Sequence, residues 1–191
     1  MEAQGLIYRS KRRGWFVSPP RIRYDPTRAQ GFMEFVAAQG RVPFTEVLSA
    51  CRRPAGANDG ERPQLIAKAP VFGLRRLRRV DGRAVLVERN VLDATWCPGL
   101  LNERLDTSLS RVLRDRFQLA QTRCHVNVQA SVLTPEAAAV LDALPGAPTL
   151  CIERVCQAVD QGRERPVEFD TEFWLPQSLV VSLEAQGSSP I

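Results

Sequence analysis

The sequence has little of what most catalytic and metal-binding sites are built from. His125 is its single histidine, and its five cysteines form no CxxC pair. One histidine without neighbouring ligands at metal-binding spacing argues against a metal centre and against histidine-based catalysis. An odd number of scattered cysteines predicts reduced, mostly buried thiols in a cytoplasmic protein, and neither a disulfide framework nor a zinc site. We therefore expect no metal and no cofactor.

Long hydrophobic runs are also absent. No stretch reaches the roughly 18 apolar residues of a transmembrane candidate, and the charged N-terminus lacks the apolar segment of a secretory signal. We therefore expect no membrane partner. Hydrophobic residues make up 44% of the chain, which is enough for a sizeable core. The formal charge is +5, and this mildly basic balance is compatible with nucleic acid or anionic ligands without selecting either.

The N-terminal stretch "GLIYRSKRRGWFVSPP" predicts a short hairpin with a basic tip. The strands "LIY" and "WFV" flank a turn that carries Lys11, Arg12 and Arg13. The two prolines that follow, Pro19 and Pro20, predict a stiff, extended spacer.

A helix is predicted after this spacer. Asp25 suits an N-cap and Pro26 suits the first helical position. Phe32 and Phe35 fall on one helical face, and Gly40 is expected to end the helix.

Hairpins outnumber helical crossovers in the rest of the chain, and Asp81-Gly82 is the clearest turn signal. This arrangement predicts an α+β fold in which helices pack on an antiparallel sheet. The predicted strands lie at 45–51, in two pieces within 64–80, and at 84–92, 123–131, 149–159, 166–175 and 178–185. The predicted helices lie at 98–117, with a break at Thr107 or Ser108, and at 134–144.

Several segments together resemble a known family. The N-terminal stretch resembles the end of a winged helix-turn-helix of the GntR/HutC type, whose two-stranded wing is followed by a linker. The segments "GRVPFTEVL", "LRRLRRVDGRAVLVE", "PGLLNERLDTSLSRVL", "LCIERV" and "GRERPVEF" resemble parts of that family's effector domain, the UTRA domain. They occur in the family's order over about residues 27–175. The chain is therefore identified as a member of this family of transcriptional regulators.

The resemblance implies a chorismate lyase-like fold and a cytoplasmic, homodimeric bacterial regulator that senses a small metabolite and is not an enzyme. It divides the chain into a wing remnant at 1–18, a linker at 19–26 and an effector-binding and dimerisation domain at 27–191. The family's DNA-binding helices precede its wing, and this sequence starts after them. We expect DNA binding only through that missing N-terminal domain, with Lys11, Arg12 and Arg13 contacting DNA phosphates or the minor groove. Alone, these three residues would form an exposed turn.

Arg76 and Arg78 are the strongest candidates for ligand binding. They alternate on one predicted strand, so their side chains share a face and can form a fork for a phosphate, phosphonate or carboxylate. The alternative is a solvated strand face. The resemblance favours ligand binding, because the family uses such a pair for the anionic group of its effector.

The face of Glu88 depends on the hairpin turn. A two-residue Asp81-Gly82 loop would pair Arg76 with Val87 and place Glu88 on the opposite face. A three-residue loop would place Glu88 across from Arg76. The family resemblance requires the second register, because the matching glutamate lines the pocket.

Four further residues are candidates for the ligand site. Ser108 lies at a predicted helix start, where a hydroxyl and free N–H groups bind an anion or simply cap the helix. The resemblance places Phe44 and Thr45 in a loop that offers backbone N–H groups to the anion, although Thr45 could equally only begin a strand. It places Trp174 near the pocket, as ligand wall, core or dimer interface.

The expected effector is a small anionic metabolite: a phosphorylated sugar, a phosphonate or a carboxylate. An alternative function is a chorismate lyase-like enzyme of the same fold, for which Glu88 is the one distinctive acid–base group. A third, a non-specific nucleic-acid module, rests on charge alone.

Overall fold

A six-stranded sheet organises the protein in the computed structural model, which describes residues 7–10, 14–17, 19–28, 30–56, 69–160 and 162–184. Its strand order is β4-β5-β6-β9-β8-β7, and every neighbouring pair is antiparallel. The strands are β1 (Ile7–Ser10), β2 (Gly14–Val17), β3 (Ile22–Tyr24), β4 (Pro43–Pro54), β5 (Pro70–Val80), β6 (Arg83–Asp93), β7 (Gln121–Val132), β8 (Pro148–Asp160), β9 (Arg163–Trp174) and β10 (Leu179–Val181). The helices are α1 (Phe32–Ala37), a 3-10 turn (Leu100–Asn102), α2 (Leu109–Phe117) and α3 (Pro135–Val140). This arrangement confirms the predicted α+β class.

Helices cover both faces of the sheet because its strands carry buried apolar side chains on each face. On one face, α1 packs Phe32 and Phe35 against Trp174, and α2 packs Leu109 and Leu113 against the neighbouring part of the sheet. On the other face, α3 covers a separate apolar cluster. Burial of each apolar side chain of this size contributes roughly 1.5–3 kcal/mol to the stability of the folded state. No helix among the described residues is long and apolar enough to cross a membrane.

The β5–β6 hairpin combines two features that the sequence analysis treated as alternatives. The turn is the tight two-residue form, because Val80 pairs with Arg83 and both Asp81 and Gly82 have positive φ, 49° and 78°. A β-bulge then shifts the register, since Arg79 pairs with Ala84 but Arg78 pairs with Leu86. Arg76 therefore faces Glu88 despite the short turn. The prediction that a two-residue turn would send Glu88 to the other face was wrong, because it assumed an unbroken ladder.

The N-terminal hairpin forms as predicted, with β1 paired antiparallel to β2. Its tip residues Lys11, Arg12 and Arg13 lie outside the described residues. The helix start predicted at Asp25-Pro26 was wrong. Asp25 instead closes a turn by accepting hydrogen bonds from the backbone N–H of Thr27, at 3.0 Å, and from its hydroxyl.

Part of the predicted linker is packed into the domain. Ile22 and Tyr24 are 3% and 2% exposed, and β3 pairs in parallel with β10, a strand shorter than predicted. The Tyr24 ring lies 5.2 Å from the Phe35 ring, centroid to centroid. The residues after Pro20 are thus anchored to the same core that carries α1.

One pair of cysteines contradicts the prediction that the thiols are reduced. Cys124 on β7 and Cys156 on β8 are directly paired across the two strands and form a disulfide. The other three cysteines, Cys51, Cys97 and Cys151, are not disulfide-bonded. Cys124 and Cys156 are 32 residues apart in the sequence, a spacing that does not predict a disulfide, and only the strand register brings them together.

Candidate functional site

A cavity of about 280 Å³ lies on the sheet face that carries α1 and α2. We call it the central cavity. The residues before α1 and at the start of α2 line one side of it, and the middle strands of the sheet form its floor. Seven charged side chains make up this charged floor: Arg76, Arg78, Arg154, Glu88, Glu168, Asp170 and Glu172.

The cross-strand register places these charges side by side. Arg76, Glu88 and Glu172 occupy one row across β5, β6 and β9. In the adjacent row, Asn90 is followed by Asp170 and Arg154 on β9 and β8. Because alternate residues of each strand share a face, the whole set points into the cavity.

Glu88 sits between two arginines. Its Oε1 accepts from Arg76 and, at 2.8 Å, from Arg78, and all three side chains are at most 4% exposed. Burial by itself raises the pKa of Glu88, but the two guanidiniums outweigh it and hold the pKa below its ordinary value. Arg76 and Arg78 carry two positive charges, and Glu88 neutralises one of them. The group of three side chains therefore has a net positive charge.

Arg76 also positions the start of α2. Its guanidinium donates to the carbonyl oxygens of Leu105 and Thr107, at 3.3 and 3.4 Å. The next residue, Ser108, is the N-cap of α2, and its hydroxyl accepts from the backbone N–H of Arg111 at 3.4 Å. Ser108 is both a helix cap and a cavity-lining residue, so the two interpretations of it from sequence are compatible.

Gly31, the N-cap of α1, lets the two helix starts approach each other. A Cβ at this position would lie 2.9 Å from the Ser108 hydroxyl and 2.7 Å from a carboxylate oxygen of Glu34. The absence of a side chain at Gly31 therefore allows this close approach of the starts of α1 and α2 at the cavity wall.

Arg78 is held by Thr45, which does not line the cavity, and by Phe32, which does. It donates to the hydroxyl of Thr45, which is 3% exposed, and its guanidinium lies 5.0 Å from the ring centroid of Phe32. The adjacent Phe44 is 54% exposed on the other face of β4, away from the cavity. Among the described residues, the lining set includes neither of these two β4 residues.

Trp174 belongs to the core. It is 1% exposed and packs between Phe32 and Phe35, with ring centroids 6.1 and 6.4 Å away. Its indole N–H donates to Glu172 Oε2 at 2.5 Å. Trp174 therefore orients a cavity carboxylate from behind rather than forming part of the described cavity wall.

Arg154, Asp170 and Glu172 form a second ionic group that the sequence analysis missed. Arg154 pairs with Glu172, and its Nε lies 3.4 Å from Asp170 Oδ2. The ring of Tyr24 lies 5.5 Å from the guanidinium carbon. The signal was available in the sequence, since Glu168, Asp170 and Glu172 alternate along one predicted strand and must share a face.

Two of the carboxyl groups are held toward their neutral form. Burial raises the pKa of Glu168, and burial together with Glu172 raises the pKa of Asp170 well above its ordinary value. Glu168 accepts from Gln121 at 2.6 Å and from Asn90 at 3.2 Å. The Asn90 Oδ1 is buried and has no hydrogen-bond partner. This end of the cavity offers acceptors to a ligand, whereas the Arg76 and Ser108 end offers donors.

The acidic residues do not make a convincing cation site. Oxygens of Glu88, Asp170 and Glu172 lie within 4.8 Å of one another. Three guanidiniums already pair with these carboxylates, so a cation would have to compete with fixed positive charge. The arrangement suits hydrogen bonding to a polar organic ligand.

An α+β domain built around a polar cavity is the class of protein that this geometry defines, and comparison with known proteins identifies the family. The UTRA domain model matches residues 38–179. The chain belongs to the UTRA family and is a regulatory effector domain of GntR-type transcriptional regulators. Because the proteins it matches are regulators, it is a regulator domain and not an enzyme.

Two curated relatives come from Escherichia coli K12. YihL, an HTH-type transcriptional regulator, is 27% identical over 180 residues, 91% of this chain and 73% of the relative. PhnF, a probable transcriptional regulator, is 26% identical over 162 residues, 83% of this chain and 66% of the relative. The crystal structure of PhnF from Mycobacterium smegmatis has a TM-score of 0.77 at 23% identity, covering 97% of this chain and 81% of that chain. This structural likeness establishes the shared fold.

Proposed function

We propose that this domain binds a small anionic metabolite in the central cavity and dimerises, and that ligand binding modulates how the regulator binds its operator. The observation that carries the proposal is the meeting of the Arg76–Glu88–Arg78 group with the start of α2 at one cavity. A volume of about 280 Å³ suits a ligand of metabolite size. The proposed location is the cytoplasm.

The anionic group of the ligand belongs at the Ser108 end. The first N–H groups of a helix are free and bind anions, and α2 presents this end to the cavity. Two guanidiniums share one carboxylate there, which leaves positive charge for a phosphate, phosphonate or carboxylate.

The other end of the ligand carries hydrogen-bond donors. Glu168, Asp170 and the unpartnered Asn90 Oδ1 can accept hydrogen bonds at this end of the cavity. Hydroxyl or amino groups suit these acceptors. A phosphorylated sugar fits both ends, and a phosphonate or carboxylate fits if it carries hydroxyl or amino groups.

A route from the cavity toward DNA runs through the N-terminal segment. Tyr24 on β3 stacks over Arg154, which pairs with Asp170 and Glu172. A ligand that hydrogen-bonds to these carboxylates changes their ion pairs with Arg154, and hence the contact between Arg154 and Tyr24 on β3. A ligand shifts such an equilibrium only through different affinities for the two states. DNA contacts by Lys11, Arg12 and Arg13 belong to this proposal.

Neighbouring arginines of β5 provide the test. Arg78 faces the cavity, whereas Arg79 lies on the opposite face, paired with Glu46. We expect Arg78→Ala to abolish ligand-induced thermal stabilisation, measured with a panel of sugar phosphates, phosphonates and carboxylates. Arg79→Ala should keep it, because that change leaves the cavity intact.

A third variant addresses the start of α2. Ser108→Gly removes the hydroxyl but lowers helix stability by only a few tenths of a kcal/mol. We expect weaker stabilisation by the same ligand, with circular dichroism confirming that all variants fold. Equal stabilisation of the wild type, Arg78→Ala and Ser108→Gly would reject this cavity as the effector site.

A further inference from the structure

The disulfide between Cys124 and Cys156 forms part of the wall of the central cavity. Both cysteines lie on the sheet face that carries the charged floor. Cys156 is also the cross-strand neighbour of Glu168 on β9. One row across three strands therefore joins the disulfide to a cavity carboxylate.

A second connection runs through Gln121. Its side-chain amide donates to Glu168 Oε2 at 2.6 Å, and it lies three residues before Cys124 on β7. The placement of Gln121 in the cavity therefore depends on how firmly this part of β7 is held to β8.

The disulfide spans the most irregular part of this strand pair. The register shifts between Gln121 and Arg123 on β7, and the β8–β9 pairing shifts between Cys156 and Gln157. β7 is one of the two edge strands of the sheet, and among the described residues it pairs only with β8. The nearby ionic contact, Arg123 with Glu164 at 3.7 Å, is exposed and contributes little. The covalent link is therefore the strongest local tie described for this end of β7.

The bond is also accessible to reductants. Cys124 is an exposed residue, whereas Cys156 is 4% exposed, so Cys124 is the cysteine of the pair that an incoming thiolate can approach from solvent. Disulfides in the cytoplasm are usually transient and often serve in redox sensing. Cys97 differs from Cys124, because it is buried and burial raises the pKa of its thiol to about 12.

We propose that Cys124 and Cys156 form a reversible thiol–disulfide site that regulates the central cavity. The disulfide holds Gln121 and Glu168 in the ligand-binding arrangement, and reduction frees the start of β7 and weakens effector binding. This inference rests on the proposed function, since it assigns regulation to the same cavity.

The chemistry balances with a dithiol as reductant. A thiolate of the dithiol attacks Cys124 Sγ and forms a mixed disulfide, and Cys156 leaves as a thiolate and takes up a proton. The second thiol of the reductant then displaces Cys124, which also ends as a thiol. Two electrons pass to the protein, and the dithiol becomes a cyclic disulfide; oxidised dithiol drives the reverse reaction.

The first experiment measures the reaction itself. The whole chain is equilibrated in buffers of dithiothreitol and its oxidised form, free thiols are alkylated, and the sites are mapped by mass spectrometry. We expect Cys124 and Cys156 to change together and reversibly while the protein stays folded by circular dichroism. A pair that cannot be reduced without global unfolding would overturn the inference.

The second experiment measures the consequence. Amide hydrogen exchange is compared between oxidised and reduced protein, and inorganic phosphate serves as the ligand probe. We expect exchange in Gln121–Val126 to rise at least tenfold on reduction, and phosphate affinity to fall at least threefold. Cys51→Ser, on the opposite edge strand β4, is the control and should behave as the wild type.

The outcomes separate the two proposals. Unchanged exchange and unchanged phosphate affinity on reduction overturn the redox inference and leave the effector site standing. Phosphate that binds neither redox form argues against the anion site, and exchange of Gln121–Val126 then decides the redox inference alone. The Cys124→Ser/Cys156→Ala variant should match reduced wild type; if it does not fold, the wild-type comparison decides.

Discussion

Asp170 shows what burial does to a single carboxyl group in this cavity. Arg154 attracts its charge, but burial and the neighbouring Glu172 act more strongly and raise its pKa well above the ordinary value of 3.8. The folded state therefore holds this proton more tightly than the unfolded state does. Asp170 costs stability as pH rises from its unfolded pKa toward its raised folded pKa. Below the unfolded pKa this cost is absent.

Asp170→Asn tests this sign. The amide cannot ionise, and Glu172 remains to pair with Arg154. We expect the melting temperature of the variant, relative to wild type, to rise as the pH increases above 3.8, the ordinary pKa of the aspartate side chain. Asp115→Asn, at an exposed side chain beside Arg114, should show no such trend. A constant or falling difference for Asp170→Asn would contradict the raised pKa.

Individual residues also show how far sequence reasoning reached. That Arg76 and Arg78 share a face follows from strand alternation alone, and both line the central cavity, whereas their binding of a ligand stays a prediction. The face of the opposing Glu88 could not be predicted from the turn residues. They determine only the first residue pair of the hairpin, and the bulge beyond it depends on tertiary packing. Phe44 and Trp174 were selected by resemblance, and neither is among the described lining residues.

At the scale of elements, long strands were easier to predict than short helices. Most of the sheet and the N-cap at Ser108 follow from alternation and capping signals. Asp25 carries a strong capping signal, yet its side chain closes a local turn and α1 begins at Phe32. The β3 strand was missed because its three residues gain their order from β10 and from the core. Neither partner is visible in the local sequence.

Tyr24 on β3 offers a test of this element. Its hydroxyl is buried without a partner, while its ring packs on Phe35 and Arg154. Tyr24→Phe removes only the unsatisfied group, whose burial costs about 1–3 kcal/mol, so we expect equal or higher stability. Tyr24→Ala should lower the free energy of unfolding by about 3–5 kcal/mol, by analogy with other buried aromatic truncations.

Urea unfolding of the three proteins provides the measurement. We expect the free energy of unfolding of Tyr24→Phe to equal or exceed that of the wild type, and that of Tyr24→Ala to be far lower. A large loss for Tyr24→Phe would mean that the hydroxyl has a stabilising partner. A small loss for Tyr24→Ala would mean that β3 is not anchored through this ring.

At the scale of the whole molecule, β7 is the surface best suited to the proposed dimer. It is a 12-residue strand at the edge of the main sheet, and most of its residues are exposed. Val128 and Val132 remain 41% and 59% exposed on the same side of the strand. An unpaired edge with apolar side chains favours association with another strand or sheet.

Sedimentation velocity tests this surface. The wild type should sediment as a dimer, and the double change of Val128 and Val132 to lysine should produce a folded monomer. Leu144→Lys, which alters an apolar residue that is 78% exposed beyond α3, should leave the dimer intact. A monomeric wild type, or a double variant that stays dimeric, would refute β7 as the interface.

The pairing of β3 with β10 also has a consequence for the order of synthesis. Backbone bonds from Ile22 to Ser178 and from Ser182 to Tyr24, each 2.9 Å, join opposite ends of the domain. During translation β3 leaves the ribosome long before its partner β10 does. The nascent chain must therefore keep Ile22 and Tyr24 soluble until Leu179–Val181 arrives. β10, the later of the two strands to be made, would be the one that fixes β3 in place.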